Sequence, residues 1–136
     1  MGKQKIMPFL SFNGRSEEAM NFYVSVLPDA KVEKLVRYGD SPHVGKDEGD
    51  RVMYGMLSVA GNEICFLDMS SAFPPPAFSW ATSLYIDCES EAEFDGIFKG
   101  LSEGGEVMMG PESVGPIRKC AWVTDKFGVT WQPVWE

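Results

Sequence analysis

A chain of 136 residues, 44% hydrophobic and 24% charged, has the length and composition of one soluble globular domain, able to bury about two thirds of its unfolded surface. Twenty acidic against twelve basic residues give a formal charge of −8, which repels phosphate backbones and anionic bilayers, so neither nucleic acid nor membrane is an expected partner. No apolar run approaches the ~20 residues that span a bilayer, and Met1-Gly2-Lys3-Gln4-Lys5 opens no export signal, which makes the cytoplasm the expected location.

Residues 6–12 form a short apolar run closed by Asn13-Gly14, and Ser16-Glu17-Glu18-Ala19 follows as an N-cap with acidic residues in a first helical turn. Over 16–27, Ala19, Met20, Tyr23, Val26 and Leu27 recur at spacings of three and four, which predicts an amphipathic helix ended by Pro28. Alternation over 31–38 predicts a strand, and 52–67 a hairpin with Gly61-Asn62 near its turn. The intervening segment 39–50, rich in Gly, Asp and Ser, holds the only histidine, His43, and is expected to form a mobile flap over a cavity. Within it Asp47-Glu48-Gly49-Asp50 lacks the spacing of a calcium loop.

Pro74-Pro75-Pro76 cannot enter a sheet ladder, so 69–79 is read as a connector. A strand over 80–88, a helix over 90–101 stopped by Gly104-Gly105, and strands within 106–109 and 117–135 follow. Sliding the first strand and helix forward by 74 positions puts Leu10 on Leu84, Ser16 on Ser90, Met20 on Phe94 and Leu27 on Leu101. The chain is therefore expected to be α+β, a single domain of two βαβββ modules, 1–68 and 80–136, whose curved mixed sheets enclose a cleft. Gly128 answers Gly61 at an offset of 67, so the first copy carries seven extra residues, assigned to 39–50.

This arrangement resembles the vicinal oxygen chelate superfamily of glyoxalase I and extradiol dioxygenases. Pro8-Phe9-Leu10-Ser11-Phe12-Asn13-Gly14, then Glu17-Glu18-Ala19-Met20-Asn21-Phe22-Tyr23, and Asp125-Lys126-Phe127-Gly128-Val129-Thr130-Trp131-Gln132 are similar to the PhnB-like branch. That group carries the name 3-demethylubiquinone-9 3-methyltransferase. The resemblance implies a divalent metal held by His and Glu from the first and last strands of each module. Counting the register places Met7, Cys65, Ala81 and Gln132 at those positions. A thioether, a thiol, a methyl and an amide suit neither Zn²⁺ nor Fe²⁺ nor Mn²⁺, so no metal and no other cofactor is expected. The methyltransferase name implies S-adenosylmethionine, yet the glycines of 100–110 follow a helix instead of opening one, and helix termination accounts for them.

Cys65, Cys88 and Cys120 are widely spaced within apolar segments and read as buried reduced thiols. Strand parity turns Glu63, Cys65 and Leu67 to one face; a buried Glu63 could carry a proton and Cys65 could act as a nucleophile, which makes these two the catalytic candidates. His43 has no partner fixed by spacing and reads as a solvated loop residue. Gln132, Thr130, Cys65, Glu63, Trp122 and Trp80 are the expected ligand contacts, whereas parity turns Trp131 and Pro133 toward the helices. The leading expectation is a protein that binds a small organic molecule in the inter-module cleft without metal. Two alternatives stay open: a metal-dependent isomerase, lyase or oxygenase, and a quinone methyltransferase. Open sheet edges and a high aromatic content further predict a homodimer.

Overall fold

The computed structural model describes residues 4–40 and 49–136. The chain divides into two compact units, 1–76 and 77–136. Each holds one α-helix and one open four-stranded mixed sheet, the first unit adding a short 3-10 turn over Tyr38–Asp40, giving an α+β fold.

In the first unit, β1 (Phe9–Phe12), β2 (Ala30–Arg37), β3 (Val52–Val59) and β4 (Asn62–Asp68) lie in the order β1-β4-β3-β2. β1 runs parallel to β4, and the other pairings are antiparallel. Helix α1 (Ser16–Val26) buries Ala19, Met20 and Tyr23, the stripe that the spacing predicts, and Tyr23 meets Phe66 with ring centroids 6.0 Å apart. The β3–β4 hairpin turns on Ala60 and Gly61 at φ +49° and +86°. Both central residues are left-handed, the turn whose twist matches the flanking strands. The flap expected over 39–50 lies largely outside the described residues, His43, Asp47 and Glu48 among them. At its base Tyr38 N donates to Arg51 O (2.9 Å) and Gly39 N to Gly49 O (3.1 Å).

The second unit repeats the plan with β5 (Ser83–Cys88), β6 (Glu106–Val114), β7 (Ile117–Thr124) and β8 (Thr130–Trp135) in the order β5-β8-β7-β6. Helix α2 (Glu91–Ser102) buries Phe94, Ile97 and Leu101. β6 runs five residues past the expected end at Met109, through Gly110-Pro111. An edge strand tolerates a proline, and register shifts on both sides absorb it. No described helix is long and apolar enough to cross a membrane.

Candidate functional site

Each sheet has one face packed by its helix and one face free of it. In the first unit Phe66 lies against α1, so the alternation of β4 places Ile64, Phe66 and Asp68 on the helix side and Glu63, Cys65 and Leu67 on the other. Cys65 is 4% exposed, and its polar neighbour is the Tyr54 hydroxyl, 3.9 Å from Sγ. Burial beside this thiol raises the Tyr54 phenol above its ordinary pKa. Glu63 is half-buried at the hairpin end, opposite Ser58, and its backbone N–H donates to Gln4 Oε1 at 2.7 Å. The expected Glu63–Cys65 face is thus formed, with Tyr54, a residue not among the expected contacts, as the polar partner of the thiol.

In the second unit Trp131 and Pro133 are buried, while the helix-free face carries Ser83, Tyr85, Trp122 and Gln132 by the pairing of β5, β7 and β8. Gln132 Nε2 donates to Ser83 Oγ at 2.5 Å. Trp80, 62% exposed in the turn before β5, meets Trp122 edge-on at 6.5 Å and 70°. Tyr85 is 57% exposed. Gln132, Trp122 and Trp80 are therefore collected on one side of one sheet. Thr130 shares that parity but is 1% exposed, and its hydroxyl pairs with that of Thr124 at 2.9 Å. It ties β8 to β7.

Burial raises the phenol of Tyr85, with added repulsion from Glu136 and Asp87. Burial likewise raises the thiol of Cys120, reinforced by Glu112. Desolvation lifts Cys88 to about 11. Neither Cys88 nor Cys120 is activated toward thiolate chemistry.

Strand pairing corrects one register position. Phe12 stands opposite Asp68 and Cys88 opposite Trp135, so β1 maps onto β5 at an offset of 76 (12 to 88) and β4 onto β8 at 67 (68 to 135). The helices keep an offset of 74, Met20 to Phe94. Met7 therefore corresponds to Ser83 and not to Ala81, which is exposed in the turn before β5. The expectation failed because it carried the helix offset into the strand. The corrected set, Met7, Cys65, Ser83 and Gln132, still offers no imidazole and no carboxylate, and it does not fit a hard or borderline divalent ion. Among the described residues, no group of three or more His, Cys, Asp or Glu side chains is placed to hold a metal.

Two buried carboxylates escaped the sequence reading, and both organise backbone. Asp68, 1% exposed, accepts from Gly14 N (2.9 Å), Ser16 N (3.0 Å) and Val52 N (2.8 Å). Asp125, 3% exposed, accepts from Phe127 N (2.8 Å), Val129 N (3.1 Å) and Trp131 Nε1 (2.9 Å). The segment Asp125-Lys126-Phe127-Gly128 is thus a turn pinned by its own aspartate, with Gly128 at φ +92°. The strand-to-helix turn at Gly14 spends its N–H donors on Asp68 and leaves no cradle for a phosphate or a nucleoside there. Gly105 is explained by packing, since a side chain would collide with the Thr124 carbonyl.

The paired βαβββ units, with their helix-free sheet faces, define a glyoxalase-fold protein. At that level the chain is similar to the fosfomycin resistance protein FosX from Listeria monocytogenes, solved with Mn(II) and 1S,2S-dihydroxypropylphosphonic acid: 12% identity, TM-score 0.65, covering 98% of this chain and 93% of that one. This likeness concerns the fold alone. The model of the 3-demethylubiquinone-9 3-methyltransferase family matches residues 4–134, and the chain belongs to that family. It is similar to the putative 3-demethylubiquinone-9 3-methyltransferase, PhnB protein, of Bacillus cereus, at 37% identity over 98% of this chain and 100% of that one with TM-score 0.82. A protein from Pseudomonas aeruginosa, PA1353, gives 30% identity over 98% of each chain with TM-score 0.89. Protein YjdN of Escherichia coli (strain K12) is 27% identical over 93% of this chain and 91% of its own length.

Proposed function

We propose that this protein binds a small, partly apolar organic molecule on the helix-free face of its second module, without a divalent metal. One observation carries the reading: the Gln132–Ser83 pair, held at 2.5 Å, occupies the first-strand and last-strand positions where the wider superfamily is expected to place metal-binding imidazole and carboxylate. An amide fixed by a hydroxyl is a hydrogen-bonding device for an organic ligand, and the Trp122–Trp80 pair beside it supplies apolar surface. The metalloenzyme alternative would need donors that Met7, Cys65, Ser83 and Gln132 lack. The methyltransferase alternative rests on the family's description. It would need a nucleoside site elsewhere, since Asp68 already takes the donors of the β1–α1 turn.

The same reading has the chain act as a cytoplasmic homodimer, the dimer supported by the edge strand β6, whose Val107, Met108 and Val114 are exposed. Native mass spectrometry of the protein as purified, followed by addition of Zn²⁺, Ni²⁺ and Mn²⁺, tests all of this. The expected spectrum is a dimer that takes up no stoichiometric metal and carries an organic mass. One tightly held metal per chain would restore the metalloenzyme reading, and uptake of S-adenosylmethionine would restore the methyltransferase.

A further inference from the structure

We infer that the ligand of this face is a planar aromatic cation bearing an N–H donor, an inference that rests on the binding reading above. The Gln132 amide turns its nitrogen to its neighbour. Nε2 donates to Ser83 Oγ, so the amide presents its carbonyl oxygen, which has no partner among the described residues. That oxygen accepts and cannot donate, and a ligand must bring the proton. A carboxylate or phosphonate brought to it would set oxygen against oxygen.

The aromatic groups favour the same charge. Trp80 and Trp122 meet at 70° and so offer both an indole face and an indole edge, while Tyr85 stands exposed on the adjacent strand. Ring faces attract cations, and the exposed indole of Trp80 offers one beside Trp122.

Formal charge on the face completes the case. Asp87 lies two residues beyond Tyr85 on β5, with the same parity, and Glu112 pairs with Cys120 on the neighbouring strands. Their field is felt by the face's own acids, since Asp87 and Glu112 add to the upward shifts of Tyr85 and Cys120. Of the described cations of this module, Arg118 alone alternates onto this face with Cys120 and Trp122, and it is held against an aromatic ring; the others lie on the helix side, in a turn or on the helix. Lys119 binds Glu91 and Asp95 on the α2 side, each at 2.8 Å. Arg118 stacks on Trp135 and Lys126 on Phe127, and Lys99 sits in the last turn of α2. A net charge of −8 would also draw cations toward the protein at low salt.

The test uses the full chain and two probes that share one ring system, 2-naphthylmethylammonium and 2-naphthoate, titrated calorimetrically at neutral pH and low salt. The cation is expected to bind about tenfold tighter than the anion. Gln132→Leu should remove most of that preference. Asp87→Asn, at an exposed position where folding is not at stake, should weaken the cation about threefold and leave the anion unchanged or slightly tighter. Equal affinities, or a tighter anion, would overturn the ligand class while leaving the binding reading intact. Failure of both probes to bind would overturn both.

Discussion

The two modules start their helices by different means, and the first reaches its helix through the longer turn. In the first, Asn13-Gly14-Arg15 separates Phe12 from α1, and this longer turn lets the Asp68 carboxylate reach in from β4 to receive Gly14 N and Ser16 N. Ser16, the cap expected from sequence, is instead fully buried, and its hydroxyl finds no partner among the described residues. In the second, Glu89-Ser90 leads directly into α2. Ser90 Oγ accepts from Glu93 N at 3.1 Å and Glu93 Oε1 accepts from Glu89 N at 3.2 Å, a variant of the capping box whose return bond reaches the residue before the cap. The position equivalent to Asp68 is then Trp135. A repeat that is nearly continuous at the level of hydrophobic pattern has thus divided its polar work: a long-range carboxylate in one copy, a local box in the other.

That contrast can be broken experimentally, beginning where the largest effect is expected. Asp68→Ala leaves three backbone donors unpaired, two of them deeply buried, and should cost about 3 kcal/mol or more in chemical denaturation. Asp125→Ala, which frees the β7–β8 turn and the indole of Trp131, should cost about 2 kcal/mol and shift the tryptophan emission of the folded protein. Ser90→Ala should cost about 1 kcal/mol through loss of the box. Its repeat partner Ser16→Ala, which only removes an unpaired hydroxyl, should be neutral or stabilising by a few tenths of a kcal/mol. Equal losses at the two serines would show that the modules cap their helices alike.

A pH series sharpens the comparison further. Cys88 ends β5 where Phe12 ends β1, so only the second module carries a titrating group at this position. Its folded pKa of about 11 lies above the ordinary value of 9.0. The favoured folded species is the neutral thiol, so its contribution is complete below pH 9 and is lost as the pH rises toward 11. Stability should therefore fall across that alkaline window, and Cys88→Ala should flatten the fall.

Most of the fold was legible because it rests on periodic burial. Tyr23, Met20, Phe94 and Ile97 fall at helical spacing, and the strands alternate around Phe66 and Trp131 as parity requires. β6 continues past its expected end at Met109 through Pro111, because an edge strand with bulges tolerates what a central strand would not. The polar organisers were hidden for a different reason. Asp68 lies 52 residues from Ser16, and no local pattern marks an aspartate that will cap a distant helix. Asp125 sat inside the segment that carries the family resemblance, yet its role emerges only when Phe127 N, Val129 N and Trp131 Nε1 converge on it. On the candidate face, Gln132 is expected from strand parity, and Trp122 and Trp80 from their aromatic bulk. Ser83 was missed because the helix offset was applied to a strand two residues out of step.

The central claim, a metal-free ligand face on the second module, is tested most directly by the four indole N–H signals of the ¹⁵N-labelled protein. They would be followed in the presence of EDTA while 2-naphthylmethylammonium is added. Trp80 and Trp122 should shift together and saturate with the probe, while Trp131, bonded to Asp125, and Trp135, at the far end of β8, should stay in place. Shifts confined to Trp131 or Trp135, or shifts at Trp80 and Trp122 that appear only after EDTA is replaced by a divalent metal, would contradict it.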